Sequence, residues 1–111
     1  VSPGTHVSAM GADEPIKTEI DPALFARARL FADLPEQSAA IGEFSQAVAL
    51  GLDPASIGAI GEVLAGGPGR MAADDVTIFD SSGVAIQDLA IARLALARCD
   101  ELGLTQTIDF G

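Results

Sequence analysis

The chain has 111 residues, enough for one domain of ordinary size, and its 49% hydrophobic residues mark a globular composition, not a disordered or fibrous one. Sixteen acidic residues against six basic ones give a formal charge of -10, and no Lys/Arg cluster offers the counter-charge that nucleic acid needs. The single cysteine excludes an internal disulfide, and no signal peptide or apolar run of about 18 residues is recognisable, so no membrane partner and a cytoplasmic location are expected.

The opening segment, Val1 to His6, reads as a loop ahead of a strand, and the chain is expected to be a piece of a longer one. His6 to Met10 is a short strand candidate between Gly4 and Gly11. Asp21-Pro22 then supplies an N-cap and a first-turn proline for a helix over residues 23–28. Arg29 to Asp33 is apolar enough for a buried strand, and Glu36 to Ile41 opens a helix that stops near Gly42. Phe44, Val48 and Leu52, followed by Ile57, Ile60 and Leu64, have helical spacing, with Asp53-Pro54 as a second cap and first-turn proline, so two short helices are expected there. Ala65 to Arg70 breaks the chain, and Val76 to Gly83 reads as a β-branched strand running into a polar turn. The last element, a helix from Val84 to about Leu102, is apolar nearly all round, which predicts burial on several sides, against protein absent from this chain or against a second copy.

Strands alternating with helices predict a parallel α/β sheet whose C-terminal strand ends, with their loops, share one edge, and ligands of such sheets bind there. The loops beginning at Gly11 and at Asp80 each follow a strand and should face one crevice, with Asp13 and Ser81 as neighbours. Asp13 is then either a general base or a cap on its own loop. Lys17 either meets a phosphate, pairs with Asp13 or Glu19, or stays solvated. Ser81 and Ser82 stand where hydroxyls cap a helix and where a helix start attracts anions, and capping is the commoner role. His6 has no second His or Cys at ligand spacing, which leaves no metal site, and Cys99 reads as a small packing residue. The glycines of Gly66 to Arg70 follow a helix and lack G-x-G-x-x-G spacing, so they read as a turn and not as a phosphate loop.

Three separated stretches, "GADEPIKTEIDPALFARARLFAD" at 11–33, "GEVLAG" at 61–66 and "VTIFDSSGVAIQDLA" at 76–90, together resemble the C-terminal part of the ornithine cyclodeaminase and mu-crystallin family, over roughly residues 4–103. The resemblance implies that residues 1–83 are the C-terminal part of an NAD(P)-binding Rossmann domain. It implies that residues 84–111 are a helix and tail returning to a dimerisation and substrate domain, in a homodimer. The glycine fingerprint would lie upstream, so this piece alone is expected to be inactive. By the same resemblance Asp13 is the acid/base residue, Met10, Gly11 and Ala12 lie along the nicotinamide side of NAD or NADP, Lys17 and Ser81 contact the cofactor, and Ser82 approaches the substrate. The implied activity is ornithine cyclodeaminase or cyclic ketimine (pyrroline-2-carboxylate) reductase, acting on a small amino acid or cyclic imine. An alanine dehydrogenase-type member, or a mu-crystallin-like protein that binds NADP and a small ligand, is the alternative. One departure stands out: Ile16 occupies the place of the family's usual glycine, where positive φ would be costly for a β-branched residue.

Overall fold

Four strands, β1 (His6–Ala9), β2 (Ala28–Ala32), β3 (Ile57–Ala59) and β4 (Val76–Asp80), form one sheet in the spatial order β1-β4-β2-β3. All three pairings are parallel. The computed structural model from which this is drawn describes residues 1–12, 14 and 17–111. The register aligns the strand ends: Ala9 pairs with Asp80, Asp80 with Ala32, and Ala32 with Ala59. The four strands therefore end along a single row, and the loops after β1, β2 and β4 emerge side by side. This is the parallel α/β arrangement that the alternation of elements predicts.

One face of the sheet carries the core. Leu30 and Ala32 of β2, Ile57 of β3 and Ile78 of β4 are buried there against Phe25, Phe44 and Ala47. The Phe25 and Phe44 rings meet edge to face, with centroids 5.2 Å apart and planes at 88°, the arrangement favoured by the aromatic quadrupole. Helices α1 (Pro35–Ile41) and α2 (Ser45–Ala49) lie between β2 and β3, and the short α3 (Ile60–Leu64) between β3 and β4. Gly66, at φ 97°, closes α3: its amide donates to the Val63 carbonyl at 3.0 Å and the Gly67 amide to Glu62 at 2.8 Å. The glycine-rich stretch is thus a helix stop, as its spacing implied.

Two stretches depart from the sequence reading. Residues 23–28 do not form an α-helix: Pro22–Arg27 is a single 3-10 stretch, because Ala28 already belongs to β2 and leaves no room for i to i+4 bonding. Asp21 still caps it, accepting from the Ala23 amide at 2.9 Å. Likewise Asp53-Pro54 opens only a 3-10 turn, Pro54–Ser56, and Ile57 then enters the sheet opposite Leu30 instead of starting a helix. A three-residue edge strand passing straight into α3 places Ile57, Ile60 and Leu64 at helical spacing without their sharing a helix.

The last helix, α4 (Ala85–Glu101), forms where the sequence places it, but none of its residues is buried. Ile86, Leu89, Ile91, Leu94 and Leu96 are each more than half exposed. The radius of gyration, 17.9 Å, exceeds the roughly 13 Å of a compact chain of this length, as a projecting helix requires. Cys99 on this helix is half-buried and free, and His6 is satisfied within the sheet, its Nδ1 2.8 Å from the Thr77 hydroxyl.

Candidate functional site

The C-terminal edge of the sheet is built from the ends of β1, β2 and β4. Past the last ladder row the Ser81 amide donates to the Ala9 carbonyl at 3.0 Å, and the Asp33 amide to the Asp80 carbonyl at 3.2 Å. These two bonds carry the strand pairing one step into the loops. The loops after β1 and β4 are therefore neighbours from their first residue, as the sequence expects. Asp13 itself, with Pro15 and Ile16, lies outside the described residues.

On the β1 side Met10 is exposed, Gly11 half-buried and Ala12 buried. The Met10 and Gly11 amides donate to Glu19 Oε2 at 3.2 and 3.0 Å. A Cβ on residue 11 would come within 2.5 Å of the Glu19 carboxylate as it stands, so a side chain there would have to displace it. Lys17 is exposed, and its amide donates to the Glu14 carbonyl at 3.2 Å.

On the β4 side the two serines do not cap α4. Val84 occupies the N-cap without a side-chain bond. Instead the Ser81 hydroxyl donates to Asp33 Oδ2 at 3.1 Å, the Ser82 hydroxyl lies 3.3 Å from Oδ1, and the Gly83 amide donates to Oδ2 at 2.9 Å. The Asp33 carboxylate also accepts from the Leu34 amide at 2.8 Å. Gln37 closes the other flank, its Nε2 donating to the Ser82 hydroxyl at 3.0 Å and to the Gly83 carbonyl at 2.8 Å. Capping fails for a geometric reason: the turn through Gly83, at φ 82°, carries the hydroxyls back toward β2 before the helix begins.

Asp33, Gln37, Glu43 and Asp80 were not among the residues the sequence singled out, and Glu19 entered only as a pairing partner for Lys17. The one signal available for Asp33 is positional: it ends a buried strand of the same sheet whose other loops carry the motifs. Asp80 and Glu43 are fully buried. Asp80 Oδ2 accepts from the Ser38 hydroxyl in a very short contact and from the Glu43 amide at 3.0 Å, while Oδ1 has no partner among the described residues. Burial pushes the Asp80 carboxyl above its usual range, the Ser38 and Glu43 bonds oppose this, and the charges of Asp33 and Glu19 add to it. Glu43 is raised in the same way by burial, against the pull of the Glu19 and Ile20 amides. Among the described residues no group of His, Cys, Asp and Glu could hold a metal ion, and no helix is long and apolar enough to cross a membrane.

Comparison with known proteins gives this edge a context. The family model for ornithine cyclodeaminase/mu-crystallin proteins matches residues 1–101. The iminosuccinate reductase of Paracoccus denitrificans is 47% identical over 107 residues, which cover 95% of this chain and 33% of that protein. Its crystal structure in complex with NAD+ superposes with a TM-score of 0.93 at 45% identity, covering 99% of this chain and 34% of that one. An archaeal alanine dehydrogenase dimer with bound NAD gives a TM-score of 0.91 at 38% identity, over 100% of this chain and 36% of the other. The Δ1-pyrroline-2-carboxylate reductase of Thermococcus litoralis, solved with NADH and L-proline, gives 0.89 at 27% identity, over 97% and 35%. The chain thus spans about a third of the length of the relatives it matches.

Proposed function

The chain belongs to the ornithine cyclodeaminase/mu-crystallin family, and we propose that it contributes the second half of a dinucleotide site to an NAD(P)-dependent enzyme acting on an amino acid or its imine. The observation that carries this reading is the bond from the Ser81 amide to the Ala9 carbonyl, 3.0 Å, which sets the loops after β1 and β4 side by side at the C-terminal edge. That edge is where parallel α/β sheets bind ligands. The described residues fit a dinucleotide: exposed Met10 and the half-buried Gly11, Ser81 and Ser82 offer backbone and hydroxyl groups at this edge.

On this reading Met10, Gly11 and Ala12 line the nicotinamide side, Ser81 and Lys17 contact the cofactor, and Ser82 approaches the substrate. The nicotinamide, when bound, supplies or accepts a hydride. Reducing an imine also needs a proton at nitrogen, and on the family resemblance Asp13 gives it; in the reverse direction the same carboxylate takes a proton from the substrate ammonium. Ornithine cyclodeamination and cyclic ketimine reduction are the leading activities, and alanine dehydrogenation and iminosuccinate reduction fall within the same chemistry. Residues 1–83 complete a dinucleotide-binding domain, and residues 84–111 return to a dimerisation and substrate domain, which gives the exposed apolar surface of α4 its covering.

The test is turnover by the intact protein, with NAD(P)H oxidation followed on pyrroline-2-carboxylate and on oxaloacetate plus ammonia, and NAD(P)+ reduction on alanine, alongside proline formation from ornithine. Asp13→Asn is expected to lower the active rate by about two to four orders of magnitude with little change in cofactor affinity. A rate within threefold of wild type makes Asp13 a loop cap, since Asn caps nearly as well as Asp. Absence of turnover on all four substrates removes the proposed activity.

A further inference from the structure

Behind the proposed cofactor edge, three carboxylates stand in series. Asp80, at the end of β4, accepts from the Glu43 amide at 3.0 Å. The Glu43 side chain, fully buried, accepts from the Ile20 amide at 2.7 Å and from the Glu19 amide at 3.0 Å. Glu19 in turn accepts from the Met10 and Gly11 amides at 3.2 and 3.0 Å. Because Ala9 accepts from Ser81, the residue after Asp80, the series closes into a ring: Asp80, Glu43, Glu19, Met10, Ala9, Ser81.

Two glycines are shaped to this ring. A Cβ on Gly42 would overlap Asp80 Oδ2, and one on Gly11 would crowd the Glu19 carboxylate. The ring also departs from ordinary economy. Burying an acidic side chain in a chain that already carries a formal charge of -10 costs free energy, and an apolar residue at 43 would avoid that cost. Four backbone amides, those of Met10, Gly11, Glu19 and Ile20, would then lose their acceptors directly or through Glu19. The Glu43 carboxylate accepts from both amides with both of its oxygens, Oε1 taking Ile20 and sharing Glu19 with Oε2, and an apolar side chain could accept from neither.

We propose that Glu43 is a positioning residue: it fixes Met10 and Gly11, which it does not touch, by holding the backbone of Glu19 so that the Glu19 carboxylate meets their amides. Its consequence for hydride transfer rests on the function proposed above, but the positioning itself does not.

The experiment is site-resolved amide hydrogen exchange on the intact protein, comparing Met10 and Gly11 with Thr77 and Ile78 in β4. Glu43→Ala is expected to accelerate exchange at Met10 and Gly11 at least tenfold while Thr77 and Ile78 stay within threefold. Glu19→Ala, which alters an exposed side chain, should do the same, and the double variant should add no more than threefold. Met10 and Gly11 unchanged within threefold in either variant overturns the proposal. So does a common acceleration of all four amides, which signals general opening. Should Glu43→Ala not fold, Glu19→Ala and Glu43→Gln decide, the latter expected to accelerate Met10 and Gly11 less than Glu19→Ala does; equal protection to wild type in Glu19→Ala overturns the proposal. On the functional reading, Glu19→Ala also lowers kcat more than it raises KM. A wild-type protein without turnover defeats that reading and leaves the exchange result standing.

Discussion

Asp33→Asn is the sharpest probe of how the loop after β4 is held. Each carboxylate oxygen of Asp33 accepts from a backbone amide: Oδ2 from Gly83 at 2.9 Å and Oδ1 from Leu34 at 2.8 Å. Asparagine offers one acceptor and one donor, so whichever way its amide turns, an N–H group faces an N–H group. The Ser81 and Ser82 hydroxyls can rotate to suit, but the backbone amides cannot. A hydrogen bond in a half-exposed site contributes about 1 kcal/mol, and setting donor against donor adds a comparable penalty. Asp33→Asn should therefore destabilise by about 1–2 kcal/mol, and Asp33→Ala, which removes all four acceptor contacts, by about 2–4 kcal/mol. Since about 1.4 kcal/mol is tenfold in a binding constant, a loop loosened to that extent should weaken NAD(P)H binding about tenfold if Ser81 meets the cofactor. Urea unfolding and a fluorescence titration of the intact protein measure both. Asp33→Asn within about 0.3 kcal/mol of wild type, with unchanged affinity, would refute the account of the loop.

Asp80→Asn should raise stability at pH 7, because its amide can sit at the unpartnered Oδ1 position and remove a buried charge without losing the Ser38 or Glu43 bonds. Burial raises Asp80 and Glu43 in the native state, so their contribution to stability is full below the ordinary carboxylate range and falls as pH rises through the raised values. The stability gap between Asp80→Asn and wild type should accordingly widen between about pH 4 and pH 7, and a constant gap in urea midpoints would contradict the sign. Gly11→Ala should cost under about 1 kcal/mol, because the added methyl group meets only the end of the exposed Glu19 side chain, which can swing aside; a loss above about 2 kcal/mol by thermal unfolding would show that the Glu19 carboxylate is pinned. Leu89→Asp with Leu96→Asp should dissociate or precipitate the intact protein, since burying each such side chain contributes about 1.5–3 kcal/mol; an unchanged sedimentation profile would show that α4 is not covered.

The strands that read clearly in the sequence are those whose apolar content matches their burial. Leu30, Phe31 and Ala32 are all buried, and Ile78 sits in the centre of the sheet, so a run of apolar residues and a β-branched run were reliable signals there. β3 escaped notice because an edge strand of three residues pairs along one side only and passes directly into a helix; its identity is fixed by pairing to Leu30, a contact 27 positions away that no local pattern encodes. The helix over residues 23–28 failed for the complementary reason: its cap and proline are real, but β2 claims the chain after a single 3-10 stretch. The site shows the same division. The adjacency of the loops after β1 and β4, seen in the bond from the Ser81 amide to the Ala9 carbonyl, followed from parallel topology alone.

The supporting residues were illegible because they act through backbone groups. Glu43 binds two amides 23 and 24 positions before it, and Asp33 binds a hydroxyl and an amide 48 and 50 positions after it. Nothing in composition separates such an acid from one that merely solubilises the surface, and in a chain with sixteen acidic residues the solvated reading dominates. What distinguishes them afterwards is the accompanying glycine. Gly11 leaves room for the Glu19 carboxylate eight positions on, and Gly42 for the Asp80 carboxylate across the fold, with the Ser38 backbone also close. In this chain the two glycines point to Glu19 and Asp80, and Glu43 joins them, its amide bonding Asp80 and its carboxylate holding the Glu19 and Ile20 amides.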